Sequence, residues 1–374
     1  MVDDPQRHRS DTRVGGASGE HQTHAFSSRR LPPSEPDRKA AHRAALTSGL
    51  ATGIGSLPFA DASAAAALAL RMTPELPAVP QLPARSRHED MLTQWLRALP
   101  EVSVDDDGTW SLDPDADPMA PLDFSFDARA HGGMLAFCVA AAALSRAPSR
   151  IKAQVTGPLT LGCALTDSGM PAEIAFERAA ELVRGWGCAI ERHFTERFPD
   201  AALVVFFDEP ALVRWNSAAP PVDHDVAGDA LSSACASITV PTGVHVCGDG
   251  DLQLALAAGP DIIGVEVRSG LIDHAPALAR FLEADGLIAW GAVPTDRPVG
   301  ESAAPLWKAL VELWCELTRR GCDGLRIRSQ AIITPACGLA GHGTSQAERA
   351  LWLARELAIR VFDQVAATKL TVGA

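Results

Sequence analysis

A (β/α)8 barrel behind a disordered N-terminal tail is the fold this 374-residue sequence predicts. Two observations carry the prediction. Short apolar runs alternate with longer stretches of helical spacing from residue 51 onward, and nearly every run ends in a polar residue, a glycine or a proline. In such a barrel the strands supply their C-terminal ends to the chemistry, so polar strand ends are expected to be functional.

Taken in order, residues 1–48 are rich in Arg, Asp, Ser, His, Gly and Pro and lack apolar periodicity. Such a segment buries too little surface to order itself, and it is expected to be a disordered tail. Residues 49–374 then form the barrel domain. Its strands are expected at 52–56 (TGIGS), 76–83 (LPAVPQLP), 150–158 (RIKAQVTGP) and 202–210 (ALVVFFDEP). Four more follow at 242–248 (TGVHVCG), 261–267 (DIIGVEV), 286–294 (GLIAWGAVP) and 329–338 (SQAIITPACG). Helical spacing covers 61–72, 89–99, 126–144, 171–198, 225–237, 252–258, 275–284, 304–320 and 345–367. The Asp- and Pro-rich stretch 104–123 reads as an insertion after the second strand.

Composition narrows the function. A net charge of −13 and a pI near 5.3 argue against nucleic acid or an anionic membrane as partner, and favour a small molecule or another protein. The longest early apolar stretch, 62–70, is too short to span a bilayer. Eight cysteines without close, even spacing read as the reduced thiols of a cytoplasmic protein. No glycine fingerprint of the dinucleotide or P-loop kind follows the first strand, which disfavours a nucleotide cofactor.

The chemistry-bearing residues gather at the expected strand ends. His245 and Cys247 alternate along one strand, so an imidazole and a thiol face the same side. Glu266 ends an apolar run in which a carboxylate is costly unless paired or metal-bound. Cys337 stands in ITPACGLAG, between a strand-breaking proline and a glycine. The four form a candidate zinc site of two thiolates, one imidazole and one carboxylate. Cys138, Cys163, Cys188, Cys235, Cys315 and Cys322 lack such company and read as packed small hydrophobes.

TGIGSLP at 52–58, FFDEPA at 206–211, HVC at 245–247, the Val-Glu of IIGVEV and TPACGL at 334–339 together resemble the C-terminal catalytic barrel of cobalamin-independent methionine synthase, in the same order. The resemblance implies a zinc-dependent methyltransferase that moves a methyl group to the thiol of homocysteine, forming methionine, with Zn2+ on His245, Cys247, Glu266 and Cys337. It implies that Ile54, Gly55 and Ser56 contact the amino-acid part of homocysteine and that Asp208 binds its amino group. Long members carry a second, N-terminal barrel that helps hold a polyglutamyl folate. These 374 residues leave no room for one, so the methyl donor stays open between methyltetrahydrofolate and a methylated corrinoid carrier.

Two further departures bear on the reaction. The loop after the seventh strand reads WGAVPTD, where long members have a histidine followed by Ser-Pro that is suited to proton transfer; His342 is the alternative acid. Arg85, Arg87, His88, Glu89 and Asp90 stand where long members have Gly-Glu before Arg-Asn-Asp-Met, so that contact to the substrate amine does not carry over. The competing readings are a corrinoid-to-thiol methyltransferase with another acceptor and a metal-free, decarboxylase-like barrel.

Overall fold

The computed structural model describes residues 35–46 and 48–372. Its centre is a parallel sheet of seven strands: β1 (Leu50–Ala51), β4 (Arg150–Thr156), β5 (Ala202–Glu209), β6 (Thr242–Val246), β7 (Ile262–Glu266), β8 (Leu287–Val293) and β9 (Ala331–Pro335). They lie in the order β1-β9-β8-β7-β6-β5-β4. The helices between them are α4 (Gly132–Ala142), α5 (Pro158–Asp167), α6 (Ala172–Arg197), α7 (His224–Ala236), α8 (Leu252–Ala257), α9 (Ala275–Glu283), α10 (Ala303–Arg319) and α11 (Gly324–Ser329). α2 (Ala62–Met72) follows β1, and α12 (Thr344–Val372) closes the chain.

The parallel α/β architecture agrees with the sequence expectation; the strand count differs in two places. The first strand, expected at 52–56, is the pair Leu50–Ala51, and Gly55 at φ +143° leaves only an isolated bridge at Ser56. The expected second strand, 76–83, forms no ladder. It touches its neighbours through isolated parallel bridges, Ala78 with Lys152 of β4 and Ser56 with Gln81. Val79 N donates to Lys152 O and Gln81 N to Gly55 O, at 2.9 and 3.1 Å. Pro77, Pro80 and Pro83 each lack the N–H a ladder needs, which is why this segment pairs in isolated bridges.

Three smaller corrections follow. The insertion contains a hairpin, β2 (Val102–Val104) against β3 (Trp110–Leu112), turned at Gly108. The expected helix at 89–99 is reduced to a 3-10 turn, Arg87–Glu89, and the short α3 (Thr93–Leu96). α5 and α11 were not foreseen. α5 starts inside what reads as the end of the third expected strand, with Pro158 in the first-turn position where a missing N–H costs nothing.

The tail reading also changes. Residues 1–34 lie outside the described residues, but Glu35–Ala45 form α1, an element the composition did not suggest. α1 is held by charge and by one apolar plug. Lys39 and Arg43 pair with Asp261 at 3.0 and 3.4 Å, His42 Nδ1 lies 3.3 Å from Leu203 O, and Leu46 is buried. The polar face that looked unfoldable in isolation is the face that docks on the strand starts.

Strand alternation divides the core in two. Leu203, Val205 and Phe207 of β5 join the large cluster shared with the surrounding helices. Val204 and Phe206 join an inner cluster with Leu46, Leu50, Leu76, Ile262, Leu287, Ala289 and Ile332. Continuing those inner rows by two residues gives Asp208 after Phe206 and Glu266 after Gly264, so the sheet's inner face turns polar at its C-terminal end. No helix among the described residues is long and apolar enough to cross a membrane.

Candidate metal centre

His245 is the buried anchor of the site. It sits on β6 between Asp208 of β5 and Gly264 of β7 in the ladder, and is 3% exposed. Its Nε2 is buried and has no hydrogen-bond partner among the described residues. An orphaned buried imidazole nitrogen costs about 1–3 kcal/mol unless something ligates it. Cys247, two residues on, is half-buried; Cys337, just past β9, is exposed.

Ligand atoms of His245, Cys247 and Cys337 all lie within 4.8 Å of one another. The two sulfurs are 3.7 Å apart, well beyond a disulfide bond. Two thiolates each about 2.3 Å from one tetrahedral zinc would stand ~3.8 Å apart, so the spacing suits that ion. Either sulfur can donate to the other, so with His245 adjacent the pair favours one thiolate held by one thiol, lowering the proton affinity of the first and raising that of the second.

Glu266 is not part of this group of three. It ends β7 half-buried, with burial, Asp296 and Cys337 all raising its carboxyl. The sequence argument treated it as a carboxylate inside an apolar run. As the last residue of the strand, it instead reaches partial solvent, so its cost of burial does not by itself demand a metal. Arg268 pairs with Asp249, joining the loops that leave β7 and β6.

Cys337 is placed by its loop. Ala336 N donates to Val293 O at 2.8 Å and Leu339 N donates to Ser56 O at 3.0 Å, so the loop is stitched to β8 and to the 54–56 segment. A Cβ on Gly338 would meet Ser56 Oγ at 2.1 Å. Gly338 does not adopt positive φ; the glycine is there for close approach to Ser56 rather than for a sharp turn. Ile54, Gly55 and Ser56 thus border the Cys337 loop.

Adjacent acids of the DEP segment part ways because successive strand residues face opposite sides. Asp208 Oδ1 is buried with no hydrogen-bond partner among the described residues. Burial raises its carboxyl, against the pull of Lys152 and His245. Glu209, which the sequence reading passed over, accepts from Leu159 N, Thr160 N and Thr160 Oγ1 at 2.8, 2.8 and 2.6 Å, capping α5. Glu89 is likewise spent on structure, accepting from Leu82 N and Gly133 N and pairing with Arg85. His342 lies on the loop after Cys337, outside the metal-ligating group.

Lys152 and Gln154 of β4 were also missed, and both are buried. Their signal was present: RIKAQVT places Lys, Gln and Thr at every second position of an otherwise apolar strand.

Neither a protein-family model nor a curated protein matches the chain. Among solved structures, a proposed lyase/mutase from Burkholderia cenocepacia J2315 is 16% identical, over 91% of this chain and 90% of that one, with a TM-score of 0.35. A likeness at that level carries no argument about fold or chemistry.

Proposed function

We propose that the chain is a zinc-dependent S-methyltransferase that forms methionine from homocysteine, in keeping with the sequence resemblance to the catalytic barrel of cobalamin-independent methionine synthase. The observation that carries the reading is the convergence of His245, Cys247 and Cys337, with an orphaned Nε2 and sulfurs 3.7 Å apart, at the C-terminal strand ends. In the same reading the sheet is a (β/α)8 barrel whose second strand is the proline-interrupted 76–83 segment, supported by its bridges toward Lys152 and Ser56. Eight free cysteines support a reducing, cytoplasmic location.

His245, Cys247 and Cys337 would hold the metal, and Glu266 at the end of β7 would be the candidate fourth, hard donor. Zinc bound there supplies a Lewis acid that keeps a substrate thiol deprotonated at neutral pH, where a free thiol of pKa near 8.5 is only a few per cent thiolate. The protein's own work is orientation. Asp208, with one carboxylate oxygen unpartnered, takes the substrate ammonium. Ser56 donates to the carboxylate. The exposed side of Cys337 leaves an approach for a methyl donor of either kind, methyltetrahydrofolate or a methylated corrinoid.

Elemental analysis of protein purified without chelator tests the centre: about one zinc per chain is expected, and Cys337→Ser should lower it. A metal-free wild-type chain would overturn the reading in favour of a metal-free barrel. Methyltetrahydrofolate, its polyglutamate and methylcobalamin, assayed side by side with homocysteine and with other thiols, identify the donor. The same assays separate homocysteine from another acceptor.

A further inference from the structure

Lys152 is a charged side chain in a place where fold alone would accept an apolar one. It is 1% exposed, on the inner face of β4, and has no ion-pair partner among the described residues. Its Nζ donates to Ile54 O and, at 3.2 Å, to Gln154 Oε1, and lies 4.7 Å from the centroid of the Phe206 ring. Burying an ammonium without a carboxylate against it is expensive. Burial pulls its pKa down to about 8, and the nearby Asp208 favours the charged form.

What Lys152 holds is the 54–56 segment. Its bond fixes the Ile54 peptide, and Gln154, with its Nε2 on Val79 O at 2.7 Å, forms the surface on which Gly55 rests. A Cβ at Gly55 would stand 2.4 Å from the Gln154 amide, and φ +143° there disfavours any side chain. The inner face therefore carries two opposite charges without an ion-pair contact: an ammonium under the Ile54–Ser56 backbone, and the Asp208 carboxylate beside His245 in the ladder. A zwitterionic α-amino acid presents the complementary pair.

We infer that Lys152 is a positioning residue that selects for the α-carboxylate of an amino-acid thiol, acting through the Ile54–Ser56 backbone it holds and through its positive field, while Asp208 selects for the ammonium. The inference rests on the proposed thiol-methyltransferase reading and deepens it by naming what sets acceptor class. Lys152→Met leaves an unbranched side chain one atom shorter and removes both the charge and the bond to Ile54 O.

The test uses cobalt-substituted full-length protein, in which thiol binding is read from thiolate-to-cobalt charge-transfer absorption without any methyl donor. Four thiols are titrated: homocysteine, 4-mercaptobutanoate (carboxylate only), 3-mercaptopropylamine (ammonium only) and 1-propanethiol. For Lys152→Met, homocysteine and 4-mercaptobutanoate should weaken at least tenfold, and the other two should stay within twofold. The unchanged thiols, with the cobalt ligand-field bands, show that the variant is folded and loaded. Equal weakening of all four would make Lys152 merely structural, and no weakening would remove its role; either overturns the inference alone. If wild type binds homocysteine no better than 1-propanethiol, the amino-acid-thiol reading of the site falls and the inference falls with it.

Discussion

Gly338 and Asp208 are the residues where a single atom decides the outcome. A methyl at Gly338 would stand 2.1 Å from Ser56 Oγ and force that hydroxyl to rotate away from the position in which the proposed reading has it meet the substrate carboxylate. Gly338→Ala is therefore expected to lower kcat/KM for homocysteine at least tenfold, by the ~1.4 kcal/mol that a tenfold change represents. Competition with a chelating dye should show weaker zinc retention. Asp208→Asn keeps the shape and removes the charge proposed to meet the substrate ammonium. A rise in KM for homocysteine of about tenfold or more is expected, with zinc content unchanged; an unaltered KM would remove Asp208 from the substrate site. Both residues were visible as strand-end oddities in the sequence, but the reason for Gly338 was not. A contact between residues 56 and 338 leaves no local signal.

Elements show the same division. A continuous apolar run announces β5, and only the structure divides it into Val204 and Phe206 facing inward and Leu203, Val205 and Phe207 outward. The proline-rich 76–83 run was legible as extended chain but not as a strand held by single bridges, because pairing depends on which partner N–H groups remain. α1 was hidden for another reason. Its stability comes from docking, through Lys39 and Arg43 on Asp261 and through Leu46 in the inner cluster, and an isolated helix of 11 residues is marginal in water. Leu46→Ala should cost about 2–4 kcal/mol, read as a lower urea midpoint at unchanged slope. An effect below 0.5 kcal/mol would mean that α1 contributes little to the fold.

At the scale of the whole molecule, acid sensitivity is set away from the metal-ligating residues. His131 is fully buried among Trp95, Phe126 and Trp186, and burial drives its pKa from the usual 6.5 to about 3. His193, next to Phe126, is lowered to about 4 for the same first reason. In the unfolded chain both imidazoles take up protons below pH 6.5, while the folded protein keeps them neutral. The unfolded state therefore binds more protons between pH 6.5 and about 3–4, and stability falls as pH falls through that window. From pH 6.5 to 5 His131 alone should remove about 2 kcal/mol. His131→Phe should flatten the dependence of the urea midpoint on pH over that range, and an unchanged slope would exclude His131 as its source.

The sequence by itself determined the alternating parallel α/β plan, the shared face of His245 and Cys247 and the identity of His245, Cys247 and Cys337 as ligand-type residues. These follow from period-two and helical spacing, which are properties of neighbouring residues. Only the tertiary structure decided that Cys337 comes within 3.7 Å of Cys247, that Glu266 falls outside the three, and that Lys152 lies beneath the Ile54–Ser56 backbone. Each of those is a distance between residues about 20 to 100 positions apart, set by register and by loops stitched across strands. Local pattern carries no term for it.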